Sequence, residues 1–255
     1  MLHSALLVPY HSWRITHGMH HKNTNHLDRD QVFVPATRSQ VREAVLDSPL
    51  VNVAQIFVTV VFGWPAYLAV NIAGQNYGRR TNHFEPSSPV FKPSDRRDVL
   101  VSDVGLLVAF AALAYAVYAS SLSAVLCYYF VPYLIVNFFL VTITYLQHTH
   151  RDIPHYRGDE WTFLRGALAT IDRDYGIFNY LHHHIADTHI AHHLFSTMPH
   201  YHAEEATEAI KPILGAYYQY DRTFFLKALY DSWAECKFVE DHGDLLVRRK
   251  KFTKI

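Results

Sequence analysis

The chain has 255 residues, its 23 Lys and Arg cancel its 23 Asp and Glu, and 50% of its residues are hydrophobic. A cancelled charge with a single basic cluster, Arg248, Arg249, Lys250 and Lys251, lacks the electrostatic footprint of a nucleic-acid binder. The two cysteines, Cys127 and Cys236, provide neither a disulfide framework nor a thiolate zinc site, whereas histidine is abundant at 19 residues.

A mean hydropathy of −0.03 averages two unlike populations, long apolar stretches and histidine-rich polar ones. Positions 48–78 and 104–150 hold no Lys, Arg, Asp or Glu, which a water-soluble domain rarely tolerates. The opening Met1 to Tyr10 is apolar but short and lacks a basic flank, so it does not read as a cleavable signal sequence. Segment 1–49 is polar and rich in histidine. The apolar segment at about 50–73 is interrupted by Gly63-Trp64-Pro65, which predicts two arms too short to span and a segment that enters and returns.

The loop 74–103 carries Arg79, Arg80, Lys92, Arg96 and Arg97, and the positive-inside rule places it, like 1–49, on the cytosolic face. The second uncharged run is too long for one crossing, so it predicts a hairpin of helices 104–120 and 124–146 turning at Ala119 to Ser123. In the polar zone 147–255, Glu204, Glu205 and Glu208 precede Lys211 and Pro212, which predicts a helix stopping at Pro212. The expected fold is all-α: one integral membrane domain over 1–255. Its cytosolic helical cap, 1–49 and 147–255, carries a histidine-rich di-metal site.

The motif HxxHH occurs twice, at His17, His20 and His21 and at His189, His192 and His193. On a helix these positions fall within roughly 100° of arc, so each triplet sends three imidazoles to one side. Further histidines gather at His148 and His150 and at His182, His183 and His184. Imidazole clusters without cysteine suit iron, zinc, copper or nickel, and more than four ligands exceeds what one tetrahedral zinc uses, so two metals are the simpler reading. The absence of HExxH speaks against the usual zinc peptidase, and the absence of ExxH against a carboxylate-bridged di-iron bundle. His182 to His184 read as supporting residues. Asp172 and Asp187 are candidates to fix the tautomers of metal-bound rings. A nitrogen-rich di-metal site at a membrane face fits a lipid substrate whose C–H bonds need an oxidant.

Taken together, His17-Gly-Met-His20-His21-Lys-Asn-Thr, Gly63-Trp64-Pro65, Thr144-Tyr-Leu-Gln-His148-Thr-His150, the run from Gly166 through Asp172-Arg173-Asp174-Tyr175-Gly176, and the run from Asp187 through Pro199-His200-Tyr201-His202 carry a resemblance. They resemble the membrane fatty acid desaturases, nearest the Δ12 (oleate) and ω3 acyl-lipid type of fungi and plants. The resemblance implies a multi-pass, di-iron, O2-dependent oxidoreductase of the endoplasmic reticulum membrane. It would be fed electrons by cytochrome b5 and its reductase and would place a cis double bond in an acyl lipid, with oleate to linoleate as the expected conversion. It makes His17, His20 and His21 the second histidine box, His189, His192 and His193 the third, and His148 an extra ligand, with no catalytic residue beyond these metal ligands.

The family's first box, HxxxH, and its first two membrane helices are expected upstream of Met1, so the chain resembles a desaturase lacking its N-terminal part. Three readings stay open on sequence alone. One is a desaturase and one an acyl hydroxylase of the same chemistry. The third is a catalytically inactive fragment that acts by forming homo- or hetero-oligomers with full-length desaturases.

Overall fold

The computed structural model describes residues 2–41 and 48–250. Lys251 of the basic cluster lies outside the described residues. The chain divides into two compact units, Met1–His20 with Val58–Val141, and His21–Phe57 with Thr142–Ile255. Helices α2 (Tyr10–Asn23), α3 (Pro49–Val70) and α6 (Val131–His148) run through the divisions without a break.

The first unit holds α1 (Leu2–Ala5), the start of α2, the end of α3, α4 (Arg96–Ala119), α5 (Leu122–Val125) and most of α6. Polar contacts tie its N-terminal helices to α4: His11 N–H donates to Ser102 Oγ at 2.9 Å, and Arg14 pairs with Asp98 at 3.0 Å. Gly105 makes room for Ser4, whose Oγ would lie 2.6 Å from any added Cβ. In the loop after α3, the fully buried His83 meets Thr16 Oγ1 at 3.2 Å through Nε2 and packs on Tyr67. Burial without a charge partner pushes the His83 imidazole down to about 4.

Three stretches are long and apolar enough to cross a membrane: Pro49–Val70, Pro93–Ala119 and Leu122–His148, with mean hydropathies of 1.8, 2.1 and 2.0. No more than 22% of each apolar window is buried by protein, leaving Phe57, Phe62, Val104, Leu107, Phe110, Ile135 and their neighbours uncovered. A bilayer solvates such surfaces at no cost, whereas water does not. This is a membrane protein.

The expected break at Gly63-Trp64-Pro65 is not there, because α3 is one helix of 22 residues. At 1.5 Å per residue it reaches about 33 Å, enough for a hydrocarbon core of roughly 30 Å. Pro65 removes one N–H, whereas opening the helix in an apolar setting would strand several backbone groups at a few kcal/mol each. The Pro132 site is handled differently, by a π-helical turn at Leu126–Phe130 just before it. Helix α4 starts at Arg96 rather than near 104, entered through a 3-10 turn at Pro93–Asp95.

The second unit is built from short elements after α6: β1 (Pro154–Tyr156), α7 (Phe163–Leu168), β2 (Asp172–Arg173), α8 (Ile177–Leu181) and α9 (His189–Leu194). Then come α10 (Ala203–Leu214), β3 (Tyr220–Asp221), α11 (Phe225–Glu235) and β4 (Leu245–Val247). The expected stop at Pro212 is overrun to Leu214, and Gly215, with φ of 53°, ends α10 instead.

The strands are an addition to the all-α expectation. β1 and β4 pair antiparallel, with His155 opposite Leu246, and β2 pairs parallel with β3. Bridges join the segment after α2 to β1 (His26 to Tyr156) and to the C-terminal tail (Thr37 to Val239), and a third, Phe238 to Arg249, lies within that tail. The buried Arg248 locks this lacing, donating to His155 Nε2 at 3.2 Å and to the Phe33 carbonyl at 2.7 Å. The start of α3 is tied to α11 by Trp233 Nε1 donating to Gln55 at 3.1 Å and by Lys237 donating to Asn52 at 2.7 Å.

Candidate metal centre

Helix α2 carries His17, His20 and His21, spaced so that all three point to one side. Its buried stripe is polar, and Thr16 satisfies itself locally by donating to the Ser12 and Trp13 carbonyls at 3.3 and 3.1 Å. The helix ends at Asn23, and Asn25 takes a left-handed turn with φ of 55°. That turn is fixed by the Asp30 carboxylate, which accepts from the Asn25 N–H at 2.7 Å, and by Asn25 Nδ2 donating to the Ala169 carbonyl. Thr24 is thereby held beside α9.

Within the second unit, five of the seven expected ligands come together: His21, His148, His189, His192 and His193. His189 Nε2 lies 3.0 Å from His148 Nε2 and 3.1 Å from His193 Nε2. The His21 ring stacks on His193 at 4.3 Å and meets His192 edge-on at 4.5 Å. His21, His148, His189 and His193 are buried, and His192 is half-buried. His17 and His20 precede His21 on the same helix, with their ring centroids 5.9 Å apart.

The outer nitrogens determine what these rings can do. His189 Nδ1 lies 3.2 Å from the Ile185 carbonyl, which only accepts, so Nδ1 carries a proton and in the neutral ring Nε2 carries a lone pair. Thr24 Oγ1 donates to the His21 carbonyl at 3.4 Å and lies 3.1 Å from His193 Nδ1, where it can accept. In that arrangement a neutral His193 also presents a lone pair on Nε2. Ring nitrogens buried 3.0 and 3.1 Å apart suit a shared proton or a shared cation. The donor set fits a divalent transition metal held by imidazoles, with the second nitrogens of His189 and His193 engaged by a carbonyl and a hydroxyl.

Sequence reasoning did not find Thr24 or the Ile185 carbonyl. Thr24 could have been found, since it stands directly after the end of the helix that carries His21; a backbone carbonyl has no sequence signature. The two aspartates differ from the expected role. Asp187 Oδ2 engages His184 Nδ1 at 3.0 Å, outside the five-ring set. Asp172 touches no imidazole and accepts from Ile190 N–H at 2.8 Å and Tyr218 O–H at 2.6 Å. Burial raises its carboxyl to about 6, against the pull of these donors. His182 packs on Phe178, His183 on His200, and His184 also faces Glu204 at 3.5 Å.

Apolar helices of spanning length joined to a cluster of mostly buried imidazoles define a membrane protein whose histidines are compatible with a metal site. A profile of the family described as "Fatty acid desaturase" matches residues 1–225. A protein of Mortierella isabellina named Delta(12) fatty acid desaturase is 50% identical over 98% of this chain and 67% of its own length. A Delta(12)-fatty-acid desaturase of Vernicia fordii is 53% identical over 96% of this chain and 64% of its own. An Omega-6 fatty acid desaturase, endoplasmic reticulum isozyme 1, of Glycine max is 55% identical over 95% of this chain and 63% of its own. The chain therefore belongs to the fatty acid desaturase family, and it spans about two thirds of the length of these relatives.

Proposed function

We propose that the chain acts as an O2-dependent acyl-lipid desaturase that places a cis double bond at Δ12, taking oleate to linoleate. Two irons would be held by His17, His20, His21, His148, His189, His192 and His193. The observation that carries this reading is the convergence of the buried His148, His189 and His193, with the Nε2 atom of His189 3.0 and 3.1 Å from those of the other two. The position of the double bond rests on the names of the relatives, and placement in the endoplasmic reticulum on that of the Glycine max isozyme.

When bound, iron supplies the oxidising power of O2, which an unactivated CH2–CH2 requires because it offers no acidic proton to a base. Electron accounting then calls for a donor. O2 takes up four electrons and four protons in becoming two waters, the acyl chain gives two of each, and the remaining two electrons come from outside. Cytochrome b5 fills that role in this proposal.

The chain's own residues fix ring orientation and tautomer. Ile185 and Thr24 hold protons on the outer nitrogens, and packing of α9 against α7 and α10 keeps the cluster from bulk water. Pro49–Val70, Pro93–Ala119 and Leu122–His148 would be the membrane segments, with 1–49 and 147–255 forming a cytosolic cap.

The test is expression of this chain in a yeast that makes no linoleate, with gas chromatography of total fatty acids. New linoleate is the expected result. Its absence, at protein levels where an active relative does make it, would overturn the proposal.

A further inference from the structure

Adjacent residues on a strand point to opposite sides, and β2 consists of just two, Asp172 and Arg173. Both are buried, Arg173 with 1% of its surface exposed. On one side, Asp172 Oδ1 accepts from the N–H of Ile190 at 2.8 Å, in the first turn of α9. Helix α9 has six residues and its own N-cap residue, Thr188, makes no side-chain cap, so this carboxylate comes from elsewhere in the chain to serve a buried first-turn N–H. Tyr218 O–H, donating to Oδ2 at 2.6 Å, holds the carboxylate in place.

On the other side, Arg173 Nε donates to the Leu146 carbonyl at 3.1 Å, in the last turn of α6, and Nη1 pairs with Asp221 of β3. Its backbone N–H donates to the Ala186 carbonyl at 2.9 Å, which also accepts from Gln147 Nε2 at 2.9 Å. The preceding Ile171 N–H donates to the Gln147 carbonyl at 3.1 Å. One dipeptide thus grips the ends of two helices. The α9 end carries His189, His192 and His193, and the α6 end carries His148.

We propose that Asp172 and Arg173 are positioning residues that set the separation of His148 from the α9 histidines and thereby the fit of the metal. A 3.0 Å approach between His189 and His148 joins two elements 41 positions apart in sequence, and neither a six-residue helix nor the last residue of a helix sustains it unaided. The dipeptide anchors both ends to one rigid strand. This rests on the reading of these histidines as metal ligands.

The experiment loads the purified full chain with Co(II) and measures affinity, ligand-field absorption and helical circular dichroism. Asp172→Ala and Arg173→Lys should keep the helical signal, bind Co(II) roughly 10- to 100-fold more weakly, and shift the absorption band. Asp172→Asn keeps an acceptor for the Ile190 N–H and should recover part of the affinity. It also carries the test should Asp172→Ala fail to fold. Loss of fold and metal together in every variant would mark a purely structural role and overturn the proposal, as would wild-type affinity and spectrum in all of them. His189→Ala separates the two levels. If it too binds like wild type, the ligand reading fails; if it alone loses metal, only the positioning role fails.

Discussion

Two sets of five histidines each differ in what their nitrogens face. In the set of His21, His148, His189, His192 and His193, inner nitrogens converge at 3.0 and 3.1 Å while a carbonyl and a hydroxyl engage outer ones. In the set of His182, His183, His184, His200 and His202, His184 is clamped between Asp187 and Glu204, His202 pairs with Glu205, and His183 packs on His200. Carboxylates engage rings of the second set, whereas a carbonyl or hydroxyl that engages one nitrogen leaves the other free to ligate. The number of histidines is similar in the two sets, and the partner of the second nitrogen separates them.

The strongest way to break this comparison is to empty each set in turn. His189, His192 and His193 replaced together by Ala should abolish metal binding, whereas the same replacement of His182, His183 and His184 should leave bound metal at the wild-type level, as read by metal analysis of purified protein. Equal loss from both would remove the distinction.

A lone buried histidine sharpens it next. His83 is as buried as the metal set, and burial holds its folded value near 4, below the ordinary 6.5, against the pull of backbone at Leu68 and Tyr67. A depressed folded value means that stability present above pH 6.5 is lost as pH falls toward 4, by up to ~3 kcal/mol. His83→Gln should flatten that acid limb in thermal unfolding measured across pH. An unchanged limb would contradict the assignment.

Removing one outer partner should have a smaller effect. Thr24→Val keeps the shape but frees His193 Nδ1, and metal affinity should fall by roughly tenfold. The smallest effect belongs to the second cluster. His184 sits at φ of 59°, which Asn tolerates, and its pairs are partly exposed, so His184→Asn should cost less than about 1 kcal/mol in denaturant unfolding and leave metal binding intact.

The pattern of uncharged runs was legible as membrane helices because twenty apolar residues in a row have few other uses. The HxxHH spacing was legible because helical geometry alone puts positions 0, +3 and +4 on one side, and α2 and α9 follow it. Pro65 misled because a local rule assigns a cost to proline without weighing the larger cost of opening a helix in lipid. β2 and β3 are two residues each and β1 and β4 three, too short for a period-two signal, and they form because residues far apart in sequence meet. Arg173 and Asp172 read as part of a family motif, but the direction each side chain takes depends on that pairing. Gly166 is similar: a Cβ there would collide with the Thr24 carbonyl, a contact 142 positions away in sequence.

The most direct test of the account is iron K-edge X-ray absorption on the purified chain loaded with ferrous iron. The account predicts a first shell dominated by nitrogen, with the outer-shell scattering of imidazole rings, and loss of that scattering in the His189, His192 and His193 variant. A shell of oxygen donors, or one unchanged in that variant, would contradict it.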